Sequence, residues 1–111
     1  MKYGEFWLVD FCGAVGHEYQ KFRPALIIQS DGQLKITNVT TIIPLTSMID
    51  KKHEDDILIK KNNKNNLFHD SILKVHHIQT FDKLRFVNKI GIADNDELNK
   101  IKDYIKKHFD I

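Results

Sequence analysis

Cysteine is nearly absent: Cys12 is the only thiol among 111 residues, so no internal disulfide can form and a secreted disulfide scaffold is excluded. No stretch approaches the ~20 apolar residues of a membrane span. Met1-Lys2-Tyr3-Gly4-Glu5 lacks the positive-then-apolar layout of a signal peptide. The expectation is a cytoplasmic chain with no membrane association. An excess of charge of one sign is lacking too, since 17 basic side chains face 15 acidic ones and leave a net +2. A nucleic-acid partner would therefore need its cations gathered locally. No internal repeat and no linker-like stretch interrupts the chain. Its length suits one domain, residues 1–111, with a modest core that gains stability by burying a face in a partner.

The standard catalytic and ligand-binding signatures are missing as well. No HExxH, no CxxC and no run of alternating acids supplies metal ligands. His76-His77 is an adjacent pair, but neighbours in a strand point to opposite faces, so the two would not share one ion. No metal and no other cofactor is expected. Gly13 and Gly16 match neither the P-loop nor the dinucleotide fingerprint, and a Ser-His-Asp hydrolase would lack its nucleophile elbow.

What is present is a series of short strand-like segments. Residues 5–11 are rich in aromatic and β-branched side chains, with apolar positions on both faces, as in a strand covered on both sides. Residues 12–23 form a loop of a length that is usually functional or disordered in a small domain. Pro24 ends it, and a second strand follows at 25–29. Asp31-Gly32 marks a turn. Residues 37–46, dense in Thr and Ile, read as a third strand in which Pro44, lacking a donor, predicts an edge or a bulge. Then come a connecting loop at 48–55, a half-buried strand at 56–60 and a solvated polar turn at 60–66. Residues 71–75 with 78–81 form another strand, and 89–93 a last short one. The tail is helical. Asp94 and Glu97 match a capping box, and Leu98, Ile101, Ile105 and Phe109 recur at spacings of three and four as one apolar stripe. The expected fold class is mainly β with a C-terminal helix, a small bent sheet or partly open barrel.

Chemistry concentrates in the first loop, where His17, Glu18, Gln20, Lys21 and Arg23 put an imidazole, a carboxylate, an amide and two cations within a few residues. Pro24 pushes Arg23 into an extended conformation, presenting a guanidinium fork suited to phosphate. Thr46 and Ser47 place two hydroxyls at a strand end after the apolar run 42–45. On composition alone each has a plainer reading: a surface cation, an idle loop histidine, a turn or a helix cap.

These segments resemble the MazF/PemK toxins. Glu5-Phe6-Trp7-Leu8-Val9-Asp10-Phe11, Gly16-His17-Glu18 and Arg23-Pro24-Ala25-Leu26-Ile27 look like that family's opening strand, its G-[HS]-E loop and its R-P-[VA]-[LV]-[VI] strand. Ile42-Ile43-Pro44-Leu45-Thr46-Ser47 resembles the strand ending in P-[LI]-T-S, and Thr80-Phe81-Asp82-Lys83 its T-[IVF]-D-K turn. These fragments stand in the family's order, and the resemblance runs from Gly4 to the end of the chain.

The resemblance implies a small SH3-like, partly open barrel with a C-terminal helix, of the kind CcdB and PemK share, working as a homodimer. It implies a type II toxin that cuts single-stranded mRNA without metal, leaving 2′,3′-cyclic phosphate and 5′-hydroxyl ends. A cognate antitoxin would hold it in check, and DNA would be met only through the antitoxin complex. Arg23, Thr46 and His17 match catalytic positions, while Glu18 and Ser47 match substrate contacts. Two departures stand out. An Arg-x-Asp acid–base pair of some members reads Lys74 and His76 here, and an Arg before the T-x-D turn reads Gln79. All three are carried as substrate-binding positions, and whether His17 or His76 moves the proton stays open. Tyr19, Phe22 and Trp7 are candidates for base stacking, with a core or dimer role favoured for Trp7. The competing readings are a non-enzymatic gyrase poison of the CcdB kind and an inactive barrel used only for binding a partner.

Overall fold

A computed structural model describes residues 1–11 and 22–111 of the chain. The strands are β1 (Glu5–Asp10), β2 (Phe22–Ile27), β3 (Val39–Thr46), β4 (Ile57–Ile59), β5 (Ser71–Leu73), β6 (Gln79–Asp82) and β7 (Phe86–Ile92), with helices α1 (Asp31–Ile36) and α2 (Asn95–Phe109). All pairings are antiparallel. The path runs β4-β5-β3-β2-β1-β7, with β6 also on β3. Among the described residues the sheet does not close, since β4 and β7 end the path. The expected mainly β fold with a C-terminal helix is what the chain forms. No helix among the described residues is long and apolar enough to cross a membrane.

Both faces of the sheet are covered. Phe6, Leu26, Ile43, Leu45, Ile59 and Leu73 pack with Ile101 and Tyr104 of α2. On the other side Val9, Ala25, Ile27 and Ile42 pack with Phe11 and Leu34, and Trp7, Phe81 and Phe86 close over them. Trp7 is therefore a core residue: its ring meets Phe86 edge-on at 6.4 Å and its Nε1 donates to Glu5 Oε1 at 2.9 Å. Helix α2 begins as its residues dictate, with Asp94 accepting from Glu97 N and Glu97 accepting from Asp94 N. Of the apolar stripe, Ile101 is fully buried, which is worth roughly 1.5–3 kcal/mol. Phe109, by contrast, is 55% exposed, and Tyr104, outside that stripe, is buried.

Several sequence expectations are corrected. Asp31-Gly32 opens α1 rather than a bare turn, because Ser30 caps it by accepting from Gln33 N. Residues 71–81 make two strands, not one, separated by a 3-10 turn at Val75–His77, so the strand alternation assumed for His76 and His77 does not apply. Pro44 lies in an interior strand opposite Ala25. It falls where the outer neighbour of β3 changes from β6, last paired at Ile42, to β5, first paired at Leu45. The Pro44 carbonyl accepts from Lys74 N at 3.0 Å on that side, so the missing donor faces the changeover and interrupts no ladder.

The polar run 60–66 is a built turn. Asn65 is 1% exposed, its Nδ2 donates to Lys60 O at 2.9 Å, and its Oδ1 accepts from Asn62 N and Leu67 N. Asn66 takes the left-handed conformation, φ 55°, which Asn tolerates better than most residues, and its Nδ2 donates to Ile90 O. Gly91 lets this turn lie against β7, because a Cβ there would run into the Asn65 carbonyl. The turn thereby delivers Leu67, Phe68 and His69 to one side of the sheet.

Candidate active site

A cavity of about 560 Å³ opens where the N-terminal end of β2, the C-terminal end of β3, the end of the Asn turn and β7 meet. Arg23, Thr46 and Ser47 line it together. Arg23 faces Val9 in the ladder, and its Nη1 donates to Leu45 O at 3.2 Å. That bond sets the guanidinium beside the residue preceding Thr46. The Thr46 Oγ1 accepts from Met48 N at 3.2 Å, so its oxygen is oriented by the backbone turn that leaves β3. Phe22, 46% exposed, and Phe68, 88% exposed, also line the cavity.

Charge is arranged across the opening. Lys89 on β7 lines it and pairs with Glu5 at 3.0 Å. Glu5 itself is buried, which pushes its carboxyl up. Hydrogen bonds from Trp7, Lys89 and Lys2 N outweigh that and hold it below the ordinary value.

His17, Glu18 and Tyr19 lie outside the described residues. Lys74, His76 and Gln79 are described but do not line the cavity. Lys74 pairs with Asp56 at 2.7 Å, where the Asp56 side chain is fully buried. Burial pushes the Asp56 carboxyl up, but bonds from Lys74, His53 N and Val75 N outweigh it and leave it lowered. His76 belongs to a polar cluster against α2. Its Nδ1 is 3.0 Å from the Tyr104 hydroxyl, which is 3.1 Å from His108 Nδ1, and its Nε2 is 3.6 Å from Asp55. Burial, then the charges of Asp55 and Asp56, raises the Tyr104 phenol above its usual range. The Gln79 amide donates to His77 O at 3.2 Å.

His69, Phe68 and Lys89 line the cavity without having stood out in the sequence. His69 lies in no motif, and Lys89 is separated from Arg23 by most of the chain. Only the pairing of β5 with β3, and of β7 with β1, brings them near.

Comparisons with known proteins bear on the family and the fold. The chain is 24% identical over 106 residues to endoribonuclease EndoA of Bacillus subtilis, covering 96% of this chain and 91% of that protein. It is 28% identical over 116 residues to endoribonuclease MazF9 of Mycobacterium tuberculosis, covering 100% and 98%. The fold superposes on the crystal structure of MazF from Deinococcus radiodurans with a TM-score of 0.83 at 19% identity, over 100% of this chain and 97% of that one. A family model described as PemK-like, MazF-like toxin of type II toxin-antitoxin system matches residues 2–109, and the chain belongs to that family.

Proposed function

We propose that this toxin is an endoribonuclease that cuts single-stranded RNA in the cytoplasm, without metal, to 2′,3′-cyclic phosphate and 5′-hydroxyl ends. The observation that carries the reading is the cavity in which Arg23, Thr46 and Ser47 meet. RNA brings its own nucleophile, the 2′-hydroxyl. The protein has to hold the phosphate, stabilise the charge that grows on it and move protons. Arg23, always protonated, takes the phosphate charge, and the Thr46 hydroxyl donates to a phosphate oxygen. Ser47 and Glu18 contact the substrate, and His17 holds or moves a proton. Lys74, His76 and Gln79 enter only as contacts to nucleotides flanking the cut, since their side chains are committed to Asp56, Tyr104 and His77. Exposed Phe22 and Phe68 offer faces on which bases can stack.

The test is incubation of a long mixed-sequence RNA in EDTA, with the product ends mapped. The expected result is cutting at a recurring short sequence with 5′-hydroxyl ends, abolished when the cognate antitoxin saturates the sample. Intact RNA from folded protein that still stops growth would put a gyrase poison in its place. DNA enters only through the antitoxin complex.

The functional unit is proposed to be a homodimer, but the apolar third strand does not support it: β3 is interior and its apolar residues serve the chain's own core. Support lies instead in Leu84, 93% exposed, Ile36, 74%, and Val39, 42%. They fall at one end of the sheet, where Val39 pairs with Asp82 and Lys83 N donates to Asn38 O. Light scattering at micromolar concentration should give twice the chain mass of 13.0 kDa. A single-chain mass with no concentration dependence would exclude the dimer.

A further inference from the structure

We infer that His69 is a catalytic residue of this cavity, the general acid that protonates the leaving 5′-oxygen. The inference rests on the ribonuclease reading and deepens it. A sugar alkoxide is too basic to leave unprotonated near neutral pH, so cleavage at a useful rate needs a proton donor within reach.

Among the described residues lining the cavity, the fixed cations are Arg23 and Lys89. A guanidinium does not give up its proton, and an ammonium does so only far above neutral pH. The Lys89 ammonium is moreover held by Glu5 at 3.0 Å. The hydroxyls of Thr46, Ser47 and Ser71 are weaker acids still. His69 is the one described lining group whose side-chain type exchanges a proton between pH 5 and 8. The carboxylate beside it in the chain, Asp70, is turned to Lys61 N, from which it accepts at 2.9 Å. The His69 carbonyl is fixed by the Ser71 hydroxyl at 2.9 Å, while its side chain stays exposed to solvent. It can therefore reload from water between turnovers. His76 is committed elsewhere, to Tyr104 and Asp55.

In the step itself, the 2′-oxygen forms its bond to phosphorus as the bond from phosphorus to the 5′-oxygen breaks. The 2′-hydroxyl proton passes to water. The His69 imidazolium gives its proton to the 5′-oxygen and regains one from water, so the transfer is balanced.

The experiment uses the full-length protein, wild type and His69→Gln, on a short RNA containing the mapped cleavage sequence. A second RNA carries sulfur in place of the bridging 5′-oxygen at the cut, because a thiolate leaves without protonation. The expected result is a loss of roughly 10²–10⁴-fold for His69→Gln on ordinary RNA, most of it recovered on the sulfur substrate. The falling alkaline limb of the wild-type pH profile should also be absent in the variant. A rate within threefold of wild type on ordinary RNA overturns the inference. An equal loss on both substrates overturns it too, since it would mark His69 as a binding residue. A wild type that cuts neither RNA removes the ribonuclease reading, and this inference with it. Since His69 is exposed, the variant should melt with the wild type, and matching circular dichroism melts verify that the comparison is between folded proteins.

Discussion

Arg23→Ala should cut RNA roughly 10²–10³-fold more slowly than the wild type, the loss expected when a preorganised donor to a developing charge is removed. The guanidinium is the strongest fixed donor among the described cavity-lining groups, and the bond from Nη1 to Leu45 O aims it beside Thr46. Two features of arginine matter separately here. Its charge attracts the phosphate, and its planar fork can hold two phosphate oxygens at once. Arg23→Lys keeps the first and loses the second, so it should recover only part of the rate. The same bond to Leu45 ties β2 to β3, so each variant needs a melting curve beside its rate. Single-turnover cleavage of the mapped RNA checks the prediction, and an alanine variant that is folded and within threefold of wild type would remove Arg23 from the chemistry.

The largest expected effect on stability comes from Asp56→Ala. Asp56 is fully buried, receives Lys74 at 2.7 Å, and also accepts from the backbone of His53 and Val75. Removing it strands a nearly buried ammonium and two amides at once, which should destabilise the fold by about 3–5 kcal/mol. For a chain of this size that is a fall in Tm on the order of 15–25 °C, a large part of the whole stability of a small domain. The pair also sets a pH dependence. Its folded carboxyl lies below the ordinary value. Its contribution is therefore complete above the unfolded value, ~3.9, and is lost as pH falls through the lower folded one. Urea unfolding of the wild type, Asp56→Ala, Lys74→Met and the double variant would measure the pair directly. The double variant should lose clearly less than the sum of the singles, because removing Lys74 as well leaves no stranded charge. A single-variant loss below 1 kcal/mol would mean that water or another group satisfies Lys74.

That ion pair also bears on how the chain is read. By resemblance Lys74 and His76 stand where some family members carry an acid–base pair, and nothing in the linear order says otherwise. In three dimensions Lys74 is held by Asp56, a residue 18 positions earlier, and His76 by Tyr104 on α2. Burial and partner choice are settled by the packing of β4, β5 and α2, which no local pattern encodes.

Other features were legible because their causes are local. The capping box at Asp94 and Glu97, the apolar positions of the first three strands and the extended Arg23-Pro24 step all follow from neighbours a few residues apart. That Arg23 and Thr46 would line one cavity had no local cause and was expected only from the family resemblance. Residues 60–66 are solvated as their composition suggests, apart from Asn65, which is buried because its amide replaces the backbone partners a tight turn lacks. Pro44 looks like an edge residue, yet sits inside because β3 changes neighbours beside it.

By itself the sequence determined the class of fold and the terminal helix, since short-range spacing and composition carry them, while Arg23, Thr46 and Ser47 were singled out as site candidates only through the family resemblance. Only the tertiary structure decided that His69, Phe68 and Lys89 share their cavity and that Lys74 and His76 do not line it. Which strands become neighbours depends on long-range pairing and on the burial that rewards it, and those are properties of the whole chain.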